Sequence, residues 1–368
     1  MTQAVQPGSL TVGPDKVGAT PVAVLILNWN GWADTLECLE SVLKLDYPSF
    51  RILVCDNGST DGSVDRILDW AAGRLDAVPE RREMAAYANP PVPKPIAVVK
   101  IDRADVGDAA RDEAGDAPLV LIRNGANLGF GAGNNVGLRY ALARGFDLIW
   151  LLNADTVVAP GSLSALVARI QGDPAIGLCG SLLCHYDAPA LIEEAGGCAY
   201  YPLLGIARRI ERDAPIAHVD PAMTERRLGY VSGASCLVRS DFVRDVGPMT
   251  EEHFLYGEEI DWALRAKGRY RLGFAPGSVV YHKKGRATGS DSYSVARSPS
   301  SAFHLWRARV RVARRHHPLA LPMLHLLAAA SAGSAWLRGD ASMARMIMRG
   351  LRDANSPVNA SQLPEPPA

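Results

Sequence analysis

Two short stretches decide the fold: Val22-Ala23-Val24-Leu25-Ile26-Leu27-Asn28-Trp29-Asn30-Gly31, and Arg51-Ile52-Leu53-Val54-Cys55-Asp56-Asn57-Gly58-Ser59-Thr60-Asp61. The uninterrupted apolar run 22–27 reads as a strand buried on both faces, as in a parallel sheet. Residues 51–55 read as a second such strand, which delivers Asp56 to its carboxyl end. Between them, Trp32, Leu36, Leu39, Val42 and Leu43 recur at helical spacing. In open α/β sheets ligands bind beyond the carboxyl ends of the strands. An acid placed there, followed by small turn-forming residues, is a candidate for close contact with a nucleotide. Loop closure alone explains Asn57-Gly58-Ser59, but not the acids on either side.

The chain has 368 residues, enough for one large domain with an appendage. Lys+Arg and Asp+Glu are equal at 39 each, so no net field draws it to nucleic acid. The six cysteines form no C-x-x-C pair, and Cys55 and Cys179 fall in apolar runs. That argues against a zinc site or a disulfide framework and fits a reducing, cytoplasmic setting. Residues 1–21 carry no basic segment followed by an apolar core, so the expectation is a loose tail rather than a leader.

Strand and helix patterns continue to alternate. Asp61 and Ser63 are candidate caps for a helix at 64–72. The pattern dissolves over 74–117, which reads as an insertion, partly ordered or a flap. It resumes with a strand at 118–122, a glycine-rich run 124–135, a helix at 136–143, a strand at 147–152, a helix at 161–170 and a strand at 176–180. Glycines before a helix let backbone approach a ligand, although this run lacks the Lys-Ser/Thr of a Walker loop. Beyond 181 the reading is less regular: 230–238, a short helix from Ser240, strands at 270–274 and 279–281, and helices over 301–355.

The acids carry the chemistry. Asp56, Asp155 and the Glu258/Glu259/Asp261 group each lie at a strand end or a helix start. Gathered in one crevice, they require a cation, and a divalent metal with a bound diphosphate supplies it. One glutamate held among other carboxylates gains a raised pKa and becomes a candidate base. The alternative for 258–261 is a plain acidic first helical turn. His282, followed by Lys283-Lys284-Gly285-Arg286, is a surface histidine or else meets the metal or diphosphate.

Taken together, the ordered blocks Ile26-Leu27-Asn28-Trp29-Asn30, Val54-Cys55-Asp56-Asn57-Gly58-Ser59-Thr60-Asp61, Asn127-Leu128-Gly129-Phe130-Gly131, Leu152-Asn153-Ala154-Asp155-Thr156, Ser232-Gly233-Ala234, the segment 254–262 and His282 resemble the inverting family 2 glycosyltransferases, in their rhamnosyltransferase-like branch. The resemblance implies an α/β GT-A fold over 22–300: a Rossmann-like, mostly parallel sheet flanked by helices, with 301–355 as a C-terminal helical appendage and 356–368 as a tail. It implies nucleotide contacts from Asn28, Asn30, Asp56, Asn57, Asn127 and Gly129. A donor and acceptor pocket would involve Gly233, Ala234, Glu258 and Trp262. Mg²⁺ or Mn²⁺ would be held at Asp155 and His282, and Glu259, or else Asp261, would be the base. The reaction implied is transfer of a sugar from a nucleoside-diphosphate donor to a glycan or lipid-linked acceptor. Two departures stand out: Asn153 replaces the first acid of the family's D-x-D motif, and Glu259 replaces a more usual aspartate.

Two other readings compete. A sugar nucleotidyltransferase would carry a Gly-rich, Lys/Arg-bearing loop after the first strand, where this chain has Asn28-Trp29-Asn30-Gly31. A non-catalytic nucleotide-sugar or glycan-binding module would have no need to retain Asp56, Asp155 and Glu259 together. In the C-terminal part, arginines alternate with Phe303, Leu305, Trp306, Val310 and Val312, and 319–337 is apolar. A helical pair packed on the catalytic domain is expected. The alternative is peripheral contact of 303–337 with the inner face of the cytoplasmic membrane, its arginines on anionic lipid and Trp306 and Trp336 at headgroup depth.

Overall fold

The computed structural model describes residues 18–107, 115–283 and 298–356. Most of the expected N-terminal tail, part of the insertion, the cations Lys284 and Arg286, and the residues beyond 356 lie outside the described residues.

The opening run forms β1 (Val22–Asn28), with Val22 to Ile26 fully buried. Helix α1 (Trp32–Val42) leads to β2 (Phe50–Asp56), every residue of which is buried. The two strands pair in parallel with Asn28 opposite Asp56. Each fully buried Val, Leu or Ile in this pair contributes about 1.5–3 kcal/mol of hydrophobic stabilisation. Helix α2 (Ser63–Ala71) follows.

The insertion proves ordered where it is described. It holds a short helix, α3 (Ala85–Ala88), and an edge strand, β3 (Val98–Asp102), parallel to β4 (Leu119–Arg123). Buried Glu40 of α1 ties it down, accepting from Trp70 Nε1 and Val92 N at 2.8 Å each and pairing with Lys94 at 2.7 Å. The segment's described residues include a strand at the edge of the sheet.

Next come α4 (Phe130–Ala143), β5 (Leu148–Asn153), β6 (Thr156–Val158), α5 (Ser162–Gln171) and β7 (Ile176–His185). Then follow β8 (Ile192–Ala195), β9 (Gly197–Tyr201), β10 (Ile206–Arg209), α6 (Pro221–Arg227), β11 (Tyr230–Val231) and β12 (Ser235–Arg239). Helices α7 (Ser240–Val246) and α8 (Glu258–Ala266) and strand β13 (Arg271–His282) complete the domain.

The main sheet runs β3-β4-β2-β1-β5-β12-β7-β13-β6, with β8 paired to β7. Its first five strands are parallel, and β12 inserts antiparallel between β5 and β7. Strands β9, β10 and β11 form a small antiparallel sheet. The two strands expected at 270–274 and 279–281 are one strand, whose pairing with β7 shifts register between Ala275 and Val279. Pro276 and Gly277 occupy that shift, and proline has no N–H for the ladder.

The glycine-rich run also differs from expectation, since α4 already begins at Phe130. Its glycines serve close packing. A β-carbon on Gly133 would stand 2.8 Å from Leu27 Cδ1, and one on Gly137 would overlap Leu25. The helix therefore rests directly on β1.

Three helices, α9 (Pro299–His316), α10 (Leu321–Leu337) and α11 (Ala341–Arg352), form the C-terminal appendage. Trp306 is buried with Ala302, Ala328, Ala332 and Ile347, so it does not take the place at headgroup depth that the membrane alternative gave it. Arg307 and Arg311 donate to backbone carbonyls of Ala354 and Ser356, so much of the basic face of α9 is used within the protein.

Two glycine substitutions should have opposite signs. Gly137→Ala forces an overlap in the core and is expected to cost about 1–2 kcal/mol net of its helix-propensity gain. Gly333→Ala, on α10 with nothing near its β-carbon position, should stabilise by about 0.5–1 kcal/mol. Urea unfolding midpoints measure both.

Candidate active site

The parallel register sets the carboxyl ends of the central strands level, Asn28 facing Asp56 and Leu27 facing Asn153. Asp56 is buried, and its carboxylate accepts from Asn28 Nδ2 at 2.9 Å and from Ser59 N at 3.1 Å. Asn28 is itself held, its Oδ1 accepting from Thr35 Oγ1 at 2.8 Å. Asn30 takes a positive φ of 50° and caps the same turn, its Oδ1 accepting from Thr60 N at 2.7 Å. The Asn28–Asn30 turn is thus a rigid cradle that aims Asp56.

Asn57 and Asn127 do other work. Asn57 is buried; it donates to Asn127 Oδ1 at 3.0 Å and accepts from Asn124 Nδ2 and Leu128 N. Asn127 also accepts from Gly129 N at 3.0 Å. These amides stitch the β2 and β4 loops together. Gly129 has a φ of +83°, and a β-carbon there would overlap Phe254 O. That close approach, with Phe130 N donating to Phe254 O at 2.9 Å, docks the loop onto the segment that leads into α8.

Helix α8 brings in the glutamates. Asn153 N donates to Ala234 O at 3.0 Å, which joins the end of β5 to the Gly233-Ala234 turn. Gly233 N in turn donates to the Glu259 carboxylate, and a β-carbon on Gly233 would stand 2.6 Å from Glu259 Oε1. Only glycine fits there. Burial, reinforced by the charge of Glu194, pushes the Glu259 carboxyl up to about 7 against the opposing N–H groups. Glu258 is buried beside it with no hydrogen-bond partner for Oε2, and burial holds it neutral well above the usual range.

Two other members of the α8 group are corrected. Asp261 is buried and bound to Arg265 at 2.7 Å, Arg315 at 3.2 Å and His316 at 2.8 Å. Burial opposes its charge, but these partners win and hold its pKa low. It clamps α9 to α8, its carboxylate taken up by these three partners. Trp262 is core: its Nε1 donates to Gly247 O at 2.8 Å and its ring packs edge-on against Phe242. Helical spacing explains Asp261, which lies two residues after Glu259 and so on another face of α8.

At the opposite side of the β5 turn, His282 Nε2 lies 3.3 Å from Asp155 Oδ1, and its Nδ1 lies 2.9 Å from Glu193 Oε2. Burial works against a charged imidazole, yet Glu193 and Asp155 outweigh it and keep the proton well above the usual histidine range. Lys283, next along, reaches back to Asp34 at 2.6 Å and Glu37 at 2.5 Å on α1 and fixes the end of β13. Among the described residues no cluster of three or more acidic, histidine or cysteine side chains forms a self-sufficient metal site. A carboxylate and an imidazole whose second nitrogen is anchored by a carboxylate do suit a divalent ion completed by diphosphate and water oxygens.

Reading the sequence missed β8. Successive strand residues point to opposite faces, so Glu193 reaches His282 while Glu194 accepts from Cys198 Sγ at 3.3 Å and lies near Glu259. Two consecutive acids inside Leu191-Ile192-Glu193-Glu194-Ala195 were the available signal: any strand there buries at least one of them. All six cysteines are free and buried.

Residues 23–83 and 96–228 match the sequence profile described as Glycosyl transferase family 2, more than half of the chain. The gap between the two segments falls within the insertion. The chain is 27% identical over 251 residues to an N-acetylglucosaminyl-diphospho-decaprenol L-rhamnosyltransferase of Mycobacterium tuberculosis, spanning 59% of this chain and 79% of the relative. Among solved structures, GalNAc-T7 with UDP, GalNAc and Mn²⁺ superposes with a TM-score of 0.50 at 17% identity, covering 81% of this chain and 48% of the other. A mannosyltransferase from Pyrobaculum calidifontis in complex with GDP-Man and Mn²⁺ gives a TM-score of 0.47 at 16% identity, covering 95% and 90%. The chain belongs to glycosyl transferase family 2 and has the GT-A fold.

The state of Glu259 has a consequence for stability. Its folded pKa of about 7 exceeds the unfolded value near 4.5, so the fold gains from its proton at low pH and loses that gain as pH rises from about 4.5 through about 7. Glu259→Gln is therefore expected to melt several degrees above the parent at pH 8 and close to it at pH 4, as measured by differential scanning fluorimetry.

Proposed function

We propose that this family 2 glycosyltransferase transfers a sugar, with inversion, from a nucleoside-diphosphate donor to a hydroxyl of a glycan or lipid-linked acceptor, with Glu259 as the base. One observation carries the reading. A single partly exposed glutamate with a pKa near neutrality is held against the Gly233 turn, while a separate Asp155–His282 pair stands across the β5 end. Two differently tuned groups on one sheet edge suit a reaction that removes a proton at one point and releases an anionic leaving group at another.

In this reading, Asp56 accepts a hydrogen bond from the nucleobase, oriented by Asn28 and Ser59. Asp155 and His282 would hold Mg²⁺ or Mn²⁺, with Glu193 keeping the His282 ring in place. When bound, that ion supplies charge neutralisation for the departing nucleoside diphosphate. Glu259 takes the proton from the acceptor hydroxyl as the oxygen attacks the anomeric carbon from the face opposite the diphosphate. Neutral Glu258, buried behind it, adds no second negative charge that would hinder Glu259 from ionising. The single acid of Asn153-Ala154-Asp155 is compatible with metal binding because His282 provides the other protein donor.

The likeness to an L-rhamnosyltransferase whose acceptor is a diphospho-decaprenol-linked amino sugar supports dTDP-L-rhamnose and a polyprenyl-diphosphate acceptor as the first pair to test.

Turnover should depend on added Mn²⁺ or Mg²⁺ and vanish in Asp155→Ala. Glu259→Gln should lower kcat by roughly 10²–10⁴-fold with the donor KM little changed. For the parent, kcat/KM should rise with pH through about 7, because the base must lose its proton. Release of nucleoside diphosphate, coupled to NMR assignment of the product anomer, measures all three. Retention of anomeric configuration, or full activity in Glu259→Gln, would refute the assignment.

A further inference from the structure

Helix α10 is an anomaly on the surface of this protein. Residues 319–337 contain no Asp, Glu, Lys or Arg. Only the stripe Leu324, Ala328, Ala332 and Ala335 is buried, spaced along one side of the helix. Outward, Leu319 is 90% exposed, Leu326 67%, Trp336 67% and Leu337 80%. The segment 318–337 has the length and apolarity to cross a bilayer, with a mean hydropathy of 1.3. Its inner stripe, however, packs into a cluster with Trp306 of α9 and Ile347 of α11, which holds the helix flat on the protein.

A second apolar element lies beside it. The β9–β10 turn exposes Leu203 and Leu204, and a β-carbon on Gly205 of that turn would stand 2.8 Å from Leu324 Cδ2. The hairpin tip and α10 therefore make one continuous apolar surface. Its margin is basic: Arg208 lies over Tyr201, and Arg314 and Arg338 flank the two ends of α10, all exposed. Across 299–356 nine arginines face two acidic residues, in a chain whose overall charge balances.

We propose that α10, with the tip of the β9–β10 hairpin, is an interfacial docking surface that seats the protein on an anionic phospholipid bilayer. A charge-free helix lying parallel to the protein surface, with a large aromatic at one end and arginines at its rim, matches the chemistry of the headgroup boundary, where apolar side chains enter the acyl region and cations meet phosphate. The surface is rigidly linked to the site. Asp261 binds Arg315 and His316 of α9, and Tyr256, just before α8, is 2.6 Å from Ser301 Oγ. Docking would thus fix Glu259 at a set height and orientation relative to the membrane and favour acceptors embedded in it.

The test needs neither donor nor acceptor, so its outcome is independent of the catalytic reading. The full chain is floated with vesicles of phosphatidylcholine alone or containing phosphatidylglycerol, at low and high salt. The parent should float with the anionic vesicles and be partly released by salt. The double variant Leu326→Glu, Trp336→Glu should bind them roughly tenfold less. Both positions are exposed, so its melting temperature should match the parent. A parent that stays with the soluble fraction, or a variant that floats equally well, overturns the proposal. So does a parent that light scattering shows to be a dimer, becomes monomeric in the variant and binds no vesicles, because the surface then joins two copies of the chain.

Discussion

The register of three parallel strands governs the rest of this structure. With Asn28 opposite Asp56 and Leu27 opposite Asn153, the apolar lengths of β1, β2 and β5 end together, and their polar groups emerge at one edge. A slip of one residue would turn each strand's side chains to the other face of the sheet. β1 is apolar on both faces, so what opposes that slip is its polar end, where the slip would break the 2.9 Å bond from Asn28 to Asp56. The hydrophobic core and the site are consequences of the same alignment.

That alignment creates an electrostatic problem, because many carboxylates collect around one sheet edge. The fold answers it in separate ways. Asp56 is satisfied by an amide and a backbone N–H. Asp155 and Glu193 share the imidazole of His282, and Asp34 and Glu37 share the ammonium of Lys283. Asp261 is paired with cations from its own helix and from α9. Glu258 and Glu259 have no such cationic partner among the described residues, and burial keeps them inclined to hold protons. The difference between paired and unpaired acids is what distinguishes supporting carboxylates from a candidate base.

Much of this was legible in the sequence, and what was missed has definite causes. Apolar runs identified β1, β2, β4, β5 and β7 because strands buried on both faces leave an unmistakable composition. The glycines of 124–135 were read as a candidate ligand loop, whereas Gly133 there, like Gly137 in the helix, is small so that α4 can touch β1. Asn57 and Trp262 sit among candidate site residues but are buried, which one-dimensional spacing does not reveal. Asp261 was indistinguishable from Glu259 until Arg315 and His316 arrived from a helix more than fifty residues away. Glu193 and Glu194 belong to a short strand with no periodic signature, and their roles depend on pairing with β7. The alternative that put the arginines of α9 on lipid does not hold for Arg307 and Arg311, which bind the backbone at the end of the appendage.

The account stands or falls on whether the edge of the sheet is a single donor-binding crevice. Anomalous diffraction from Mn²⁺ in crystals grown with a nucleoside diphosphate tests that most directly. The account predicts a manganese peak coordinated by Asp155 and His282, with the nucleobase against Asp56. A metal peak away from that pair, or a nucleobase bound on another face of the sheet, would contradict it.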